Sequence, residues 1–132
     1  MTQKTLPTDV PVDEFFATLD SRRTAEGAEL VRIYRSATGA EPVMWGPSIV
    51  GFGTYKTPQG GVWPRTGFSP RKAKLTLYGL TEHPDAPSLL ARLGPHSATV
   101  ACVYATRLDA LDEGVLSELI TLGWSVTADT AV

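Results

Sequence analysis

The sequence predicts an α+β fold: a single domain in which an antiparallel sheet of about four strands carries packed helices, in the order ααβββαβα. Three observations predict it. Apolar residues recur at helical spacing towards both ends, at Ala28, Val31 and Tyr34 and again at Leu111, Val115, Leu119 and Leu122. Between residues 42 and 80 they alternate with a period of two and are broken by tight turns. The 132 residues, 42% hydrophobic and 20% charged, suffice for one core and not for two.

Residues 1–12, with Pro7 and Pro11 and no periodicity, read as a flexible leader, and residues 127–132 as a tail, leaving 13–126 as the domain. Asp13 is placed to cap a short helix carrying Phe15, Phe16 and Leu19. A second helix is expected over 21–37, with Leu30 and Ile33 filling out its apolar stripe and Gly39 stopping it. Its other side holds Glu26, Glu29, Arg32 and Arg35, and the adjacent Arg22 and Arg23 read as solvated charge. Pro42 and Pro47 push the residues before them out of the helical region, so the segment around Trp45 must be extended.

A first strand follows at 48–55. Gly51 and Gly53 share a face there with Ile49 and Tyr55, which clears room for another backbone or a ligand. After the Pro58-Gln59-Gly60-Gly61 turn, residues 62–68 read as an edge strand, because Pro64 has no N–H for a central ladder. Residues 72–79 alternate, with Ala73, Leu75 and Leu77 inward and Lys72, Lys74 and Thr76 outward. Asp85 is placed to cap a helix over 85–93, which Gly94-Pro95 ends. Residues 98–105 read as a fourth, central strand, since Val100, Cys102 and Tyr104 on one face and Ala101 and Val103 on the other are all apolar or nearly so. A last helix begins at Asp109 or Asp112 and is expected to close at Gly123.

Composition excludes several function classes. A net charge of −2 gives no reason to expect nucleic acid as a partner. No run approaches the roughly 18 apolar residues of a membrane span, and residues 1–10 lack the apolar stretch of a signal peptide. The one cysteine, Cys102, has no partner for an internal disulfide and suits a reducing compartment, so a cytoplasmic location is expected.

The run Met44-Trp45-Gly46-Pro47-Ser48-Ile49-Val50-Gly51-Phe52-Gly53-Thr54-Tyr55 is followed by Gly67-Phe68-Ser69-Pro70-Arg71-Lys72-Ala73 and Leu75-Thr76-Leu77-Tyr78. Leu93-Gly94-Pro95-His96, Cys102-Val103-Tyr104, Leu108-Asp109 and 116–120 continue the pattern, and together they resemble the YdhG-like family from Asp13 to Trp124. The resemblance implies a compact α+β domain shaped like the frataxin-type iron chaperones, and it implies no defined activity. Family members often carry a Tyr-His-Tyr and a Ser-Gly-Arg before the second tryptophan. Here Tyr55-Lys56-Thr57 and Gln59-Gly60-Gly61 stand in those places, so the histidine and arginine are missing.

Charge is unevenly placed. No acid occurs between Pro42 and Thr81, where Lys56, Arg65, Arg71, Lys72 and Lys74 do occur. Six aromatics share that stretch: Trp45, Phe52, Tyr55, Trp63, Phe68 and Tyr78. One reading is a binding face for a small anionic ligand or a protein partner, built from Trp45, Ser48, Tyr55, Arg65, Phe68, Arg71, Lys72 and Tyr78. The plainer reading is lysines guarding a strand edge and aromatics filling the core. Gly51-x-Gly53 lacks the third glycine and the following helix of a dinucleotide loop.

Chemistry is otherwise sparse. Ser48 and Ser69 have no nucleophile elbow and no identifiable base, so no enzyme is expected. His83 and His96 flank a helix rising about 12 Å, so they would need a chain reversal to share an ion. No cofactor is expected on these grounds. The alternative that the frataxin-like resemblance suggests is iron held by carboxylates, at Asp109, Asp112 and Glu113 or at Asp13, Glu14 and Asp20, positions that helix capping explains as well.

Overall fold

The structure, a computed structural model, describes residues 5–132; the first four residues of the leader lie outside the described ones. It is an α+β fold with helices α1 (Val12–Phe16), α2 (Ser21–Thr38), α3 (Ala86–Leu93) and α4 (Glu113–Val126). The strands are β1 (Pro42–Trp45), β2 (Ile49–Lys56), β3 (Val62–Pro70), β4 (Leu75–Tyr78), β5 (Ser97–Ala98) and β6 (Cys102–Ala105). They form one antiparallel sheet in the order β1-β2-β3-β4-β6-β5. No described helix is long and apolar enough to cross a membrane.

Six strands replace the expected four. The segment around Trp45 is extended as its prolines require, and it also pairs, Met44 opposite Val50 and Trp45 opposite Ile49. The expected strand over 98–105 is a hairpin. Ser97–Ala98 pairs with Val103 and Tyr104, and the turn between them leaves Val100 94% exposed, not on a sheet face. Residues 71–74 are likewise turn, closed by the Arg71 N–H donating to the Lys74 carbonyl at 3.1 Å. Ala73 is therefore exposed, and the buried Thr76 is not an outward position.

β3 is central, contrary to the edge position expected from Pro64. Its two halves have different neighbours: residues 62–68 pair with β2, but only Gly67–Pro70 pair with β4. Pro64 lies in the half with no β4 partner, so the rule behind the expectation holds locally and fails for the strand as a whole.

Alternation divides the sheet into two faces. Met44, Val50, Phe52, Phe68, Leu75, Leu77, Val103 and Ala105 face the helices and join Leu30, Ile33, Tyr34, Leu93, Leu116, Leu119 and Ile120 in one core. Tyr34 stacks on Phe52 with centroids 5.2 Å apart and donates its hydroxyl to the Gly67 carbonyl at 2.9 Å. That burial raises the Tyr34 pKa far above the ordinary phenol value. α2 starts where Asp20 accepts the Arg23 N–H at 2.8 Å, and α4 where Asp112 accepts from Val115 at 3.0 Å. Asp85 stands at the N-cap position of α3 without a side-chain cap bond, and Asp13 lies inside α1.

Two charge and glycine expectations are corrected. Arg23 is not solvated: only 1% of it is exposed, beside a buried Glu26. Gly123 does not end α4, which runs on to Val126. Instead a Cβ at Gly123 would run into the Gly79 carbonyl oxygen, so this glycine lets the helix backbone touch the turn after β4. In an open helix interior, alanine would gain about 1 kcal/mol over glycine. At Gly123 the sign is expected to reverse, with Gly123→Ala costing about 1–3 kcal/mol as overpacking does. A urea midpoint at or above the parent's would contradict this contact.

The chain ends also pair. Thr8 N–H donates to Met44 and Gly46 N–H to Leu6, at 2.8 and 3.0 Å, so the leader from Leu6 lies along the β1 edge. Val132 N–H donates to Thr54 at 3.0 Å, bringing the tail against β2.

Candidate functional site

The half of β3 without a β4 partner borders a cleft. β4 turns away at Gly79, and the gap this leaves is closed by α4 and by the β5–β6 turn. The cleft, of about 270 Å³, is lined by Tyr55, Trp63, Pro64 and Arg65 on one side and by Tyr78, Gly79, Glu82 and Ala101 on the other, with Gly123, Thr127 and Ile49 completing it.

Arg65 is the fixed cation of the cleft. Its Nε donates to Thr127 Oγ1 at 2.9 Å and its Nη2 to the Trp124 carbonyl. Its guanidinium carbon sits 3.5 Å from the centroid of the Trp124 ring. Trp124 in turn occupies the space above Gly53, whose φ of 67° and lost Cβ both require glycine. These contacts hold Nε and Nη2, and Nη1 makes no hydrogen bond to a described residue. Partial burial lowers the Arg65 pKa from its usual value, and the group stays cationic at neutral pH.

Two phenols frame the opening. Burial, and secondarily the charge of Glu82, raises the Tyr55 pKa. Burial also raises that of Tyr78, against the opposing effect of Arg71, whose Nη2 lies 3.3 Å from the Tyr78 hydroxyl. Both phenols are therefore neutral donors at physiological pH. The cleft thus presents one cation, one carboxylate at Glu82, two phenol hydroxyls and the faces of aromatic rings.

Of the eight ligand-site residues expected from sequence, Tyr55, Arg65 and Tyr78 come together here, and Arg71 touches Tyr78. The other four do not join them. Phe68 is wholly buried in the helix-side core. Ser48 points its carbonyl at Ser69 Oγ, 2.7 Å away. Lys72 is exposed on the β3–β4 turn. Trp45 is 1% exposed on the sheet face away from the core, and its Cδ1 lies 2.6 Å from where a Cβ on Gly51 would stand. The room that the strand glycines clear is thus taken by the chain's own Trp45 and Trp124. Sequence reasoning missed Glu82 and Thr127, which line the cleft, and Trp124, which stacks on Arg65; the path of α4 and the turn after β4 bring them there.

The carboxylates of the alternative iron site are engaged elsewhere. Asp112 caps α4, Asp109 accepts from Arg107 Nε and Nη2 at 3.0 and 2.9 Å, and Glu113 accepts from Arg32 at 2.7 Å. Among the described residues no group of three or more His, Cys, Asp or Glu side chains is placed to hold a metal ion. No protein-family model, curated protein or solved structure matches the chain.

Proposed function

We propose that the chain is a non-enzymatic binding module whose cleft beside β3 takes a small, flat, anionic ligand. The observation that carries this reading is the immobilised Arg65, stacked on Trp124 and tied to Thr127 with Nη1 left over, in a concavity walled by Tyr55, Trp63 and Tyr78. A guanidinium already held in place loses little freedom when it meets an anion, which favours binding. Glu82 adds an acceptor to the same cleft, so the preferred ligand carries a donor as well as its acid group. The YdhG-like resemblance brings no activity with it, and the reading rests on the cleft.

A suitable probe is 4-hydroxybenzoate, which has an acid, a ring and a donor. Titration should quench tryptophan emission saturably, because Trp63 lines the cleft and Trp124 lies under Arg65. Arg65→Lys keeps the charge but loses the fork, and is expected to weaken binding about tenfold, the equivalent of one charge-assisted hydrogen bond. Its melting temperature should be measured alongside, since Arg65 also ties β3 to α4. A non-saturating titration, or equal affinity in a folded Arg65→Lys variant, overturns the reading.

A further inference from the structure

We propose a second site, for a phosphate-bearing small molecule, in the trough between the β3–β4 turn and the β5–β6 edge. This trough is separate from the cleft at Arg65. Register builds it. Leu75 pairs with Ala105, which sets Lys74 beside Thr106, and Ser97 pairs with Tyr104 on the neighbouring strand. The resulting trough, of about 310 Å³, is lined by the polar residues Lys74, His96, Ser97, Tyr104, Thr106 and Arg107 together with Pro95 and Ala110. No carboxylate lines it.

Several polar atoms there are unspent. The Lys74 ammonium and the hydroxyls of Ser97, Tyr104 and Thr106 make no hydrogen bond to another described residue. Arg107 is held by Asp109 through Nε and Nη2, which fixes its plane and leaves Nη1 as a donor. His96 Nδ1 lies 2.7 Å from the Gly94 carbonyl. A carbonyl only accepts, so Nδ1 carries the hydrogen and Nε2 is the free nitrogen.

The donor set selects the ligand class. A carboxylate offers two oxygens in one plane, whereas a phosphate monoester offers three terminal oxygens spread over a hemisphere. Here a lysine point charge, a guanidinium edge and three hydroxyls come from three separate segments, a spread that suits the phosphate. A nucleic-acid strand is disfavoured, because the chain carries a net charge of −2 and this third of it is acid-rich. The ligand is therefore a small phosphorylated molecule.

The test is titration of the uniformly ¹⁵N-labelled protein with phenyl phosphate at constant ionic strength, with benzoate as the second arm. Saturable amide shifts are expected at residues 74, 96–97 and 104–107. Benzoate should move these amides at least about tenfold more weakly, whatever it does at the Arg65 cleft. Lys74→Gln should weaken phenyl phosphate binding about tenfold while melting with the parent, since Lys74 is exposed. Lys56→Gln, which removes an exposed lysine elsewhere, should change nothing. The proposal is overturned by shifts that never saturate, by benzoate matching phenyl phosphate at these amides, or by Lys74→Gln binding as tightly as the parent.

Discussion

Replacing Glu26 with alanine is expected to destabilise the fold by about 3–5 kcal/mol, the loss typical when one member of a buried ion pair is removed. Arg23 is 1% exposed and ties α2 to two distant segments. Its Nε donates to the Arg71 carbonyl at 2.9 Å, and its Nη1 donates to the Thr106 carbonyl at 3.0 Å and to Glu26 Oε1 at 2.7 Å. Glu26 Oε2 accepts the Leu108 N–H at 2.8 Å. Without Glu26, a guanidinium stays buried with no countercharge, and the Leu108 N–H loses its acceptor. Arg23 Nη2 already lacks a partner, so nothing nearby compensates.

The contrast with a double replacement identifies the cause. Arg23→Met with Glu26→Leu removes both charges and keeps similar volume, and such replacements of buried pairs are often neutral. The double variant is expected to recover most of the stability lost in Glu26→Ala. Urea unfolding of the three proteins decides it. A loss under about 1 kcal/mol for Glu26→Ala would show that the pair is solvated, and a double variant no better than the single one would place the loss in the backbone groups left unpaired at Arg71, Thr106 and Leu108 rather than in the uncompensated charge.

The same pair shows what a sequence conveys and what it withholds. Boundaries set by neighbouring residues were legible: the α2 stop at Gly39, and the α4 start narrowed to Asp109 or Asp112, of which Asp112 is the cap, lie next to the groups they satisfy. The burial of Arg23 was not, because two of its acceptors lie 48 and 83 residues away, and an arginine next to Arg22 looks like any surface charge. The prolines around β1 make it extended, but its pairing depends on the chain reversing over Gly46-Pro47-Ser48. The hairpin at 97–105 was hidden because Val100 and Ala101 are apolar, although they occupy a turn.

The candidate site was half legible for the same reason. Tyr55, Arg65 and Tyr78 declared themselves by type, in a stretch without acids. What makes Arg65 usable is Trp124, 59 residues on, and no local pattern links the two. The glycines misled in a specific way. Gly51 and Gly53 do clear space, as the sequence indicated, but indole rings from the chain itself fill it. A small side chain in a strand shows that something large comes near, and leaves open whether that is a ligand or a tryptophan.

Trp45→Ala is expected to cost about 3–5 kcal/mol, as large aromatic truncations in well-packed sites do, while Lys72→Ala should change stability by less than about 0.5 kcal/mol. Trp45 is 1% exposed yet lies outside the helix-side core, so its ring is a separate packing centre on the opposite face of the sheet. It sits over Gly51: a Cβ there would lie 2.6 Å from Trp45 Cδ1 and 2.8 Å from the Pro64 Cβ. Its backbone meanwhile bridges Pro7, so the same residue holds the leader to the sheet. Thermal melting of the two variants beside the parent tests the contrast, and a Trp45→Ala protein melting with the parent would mean an exposed ring. A double-mutant cycle tests the contact itself. Gly51→Ala should be destabilising beside Trp45, because its methyl meets the ring. In the Trp45→Ala background the clash with the ring is gone and only that with the Pro64 Cβ remains, so it should cost less by at least about 0.5 kcal/mol, the coupling expected of residues in contact. If Gly51→Ala costs the same in both backgrounds, the ring does not rest on Gly51 and the second packing centre is lost with it.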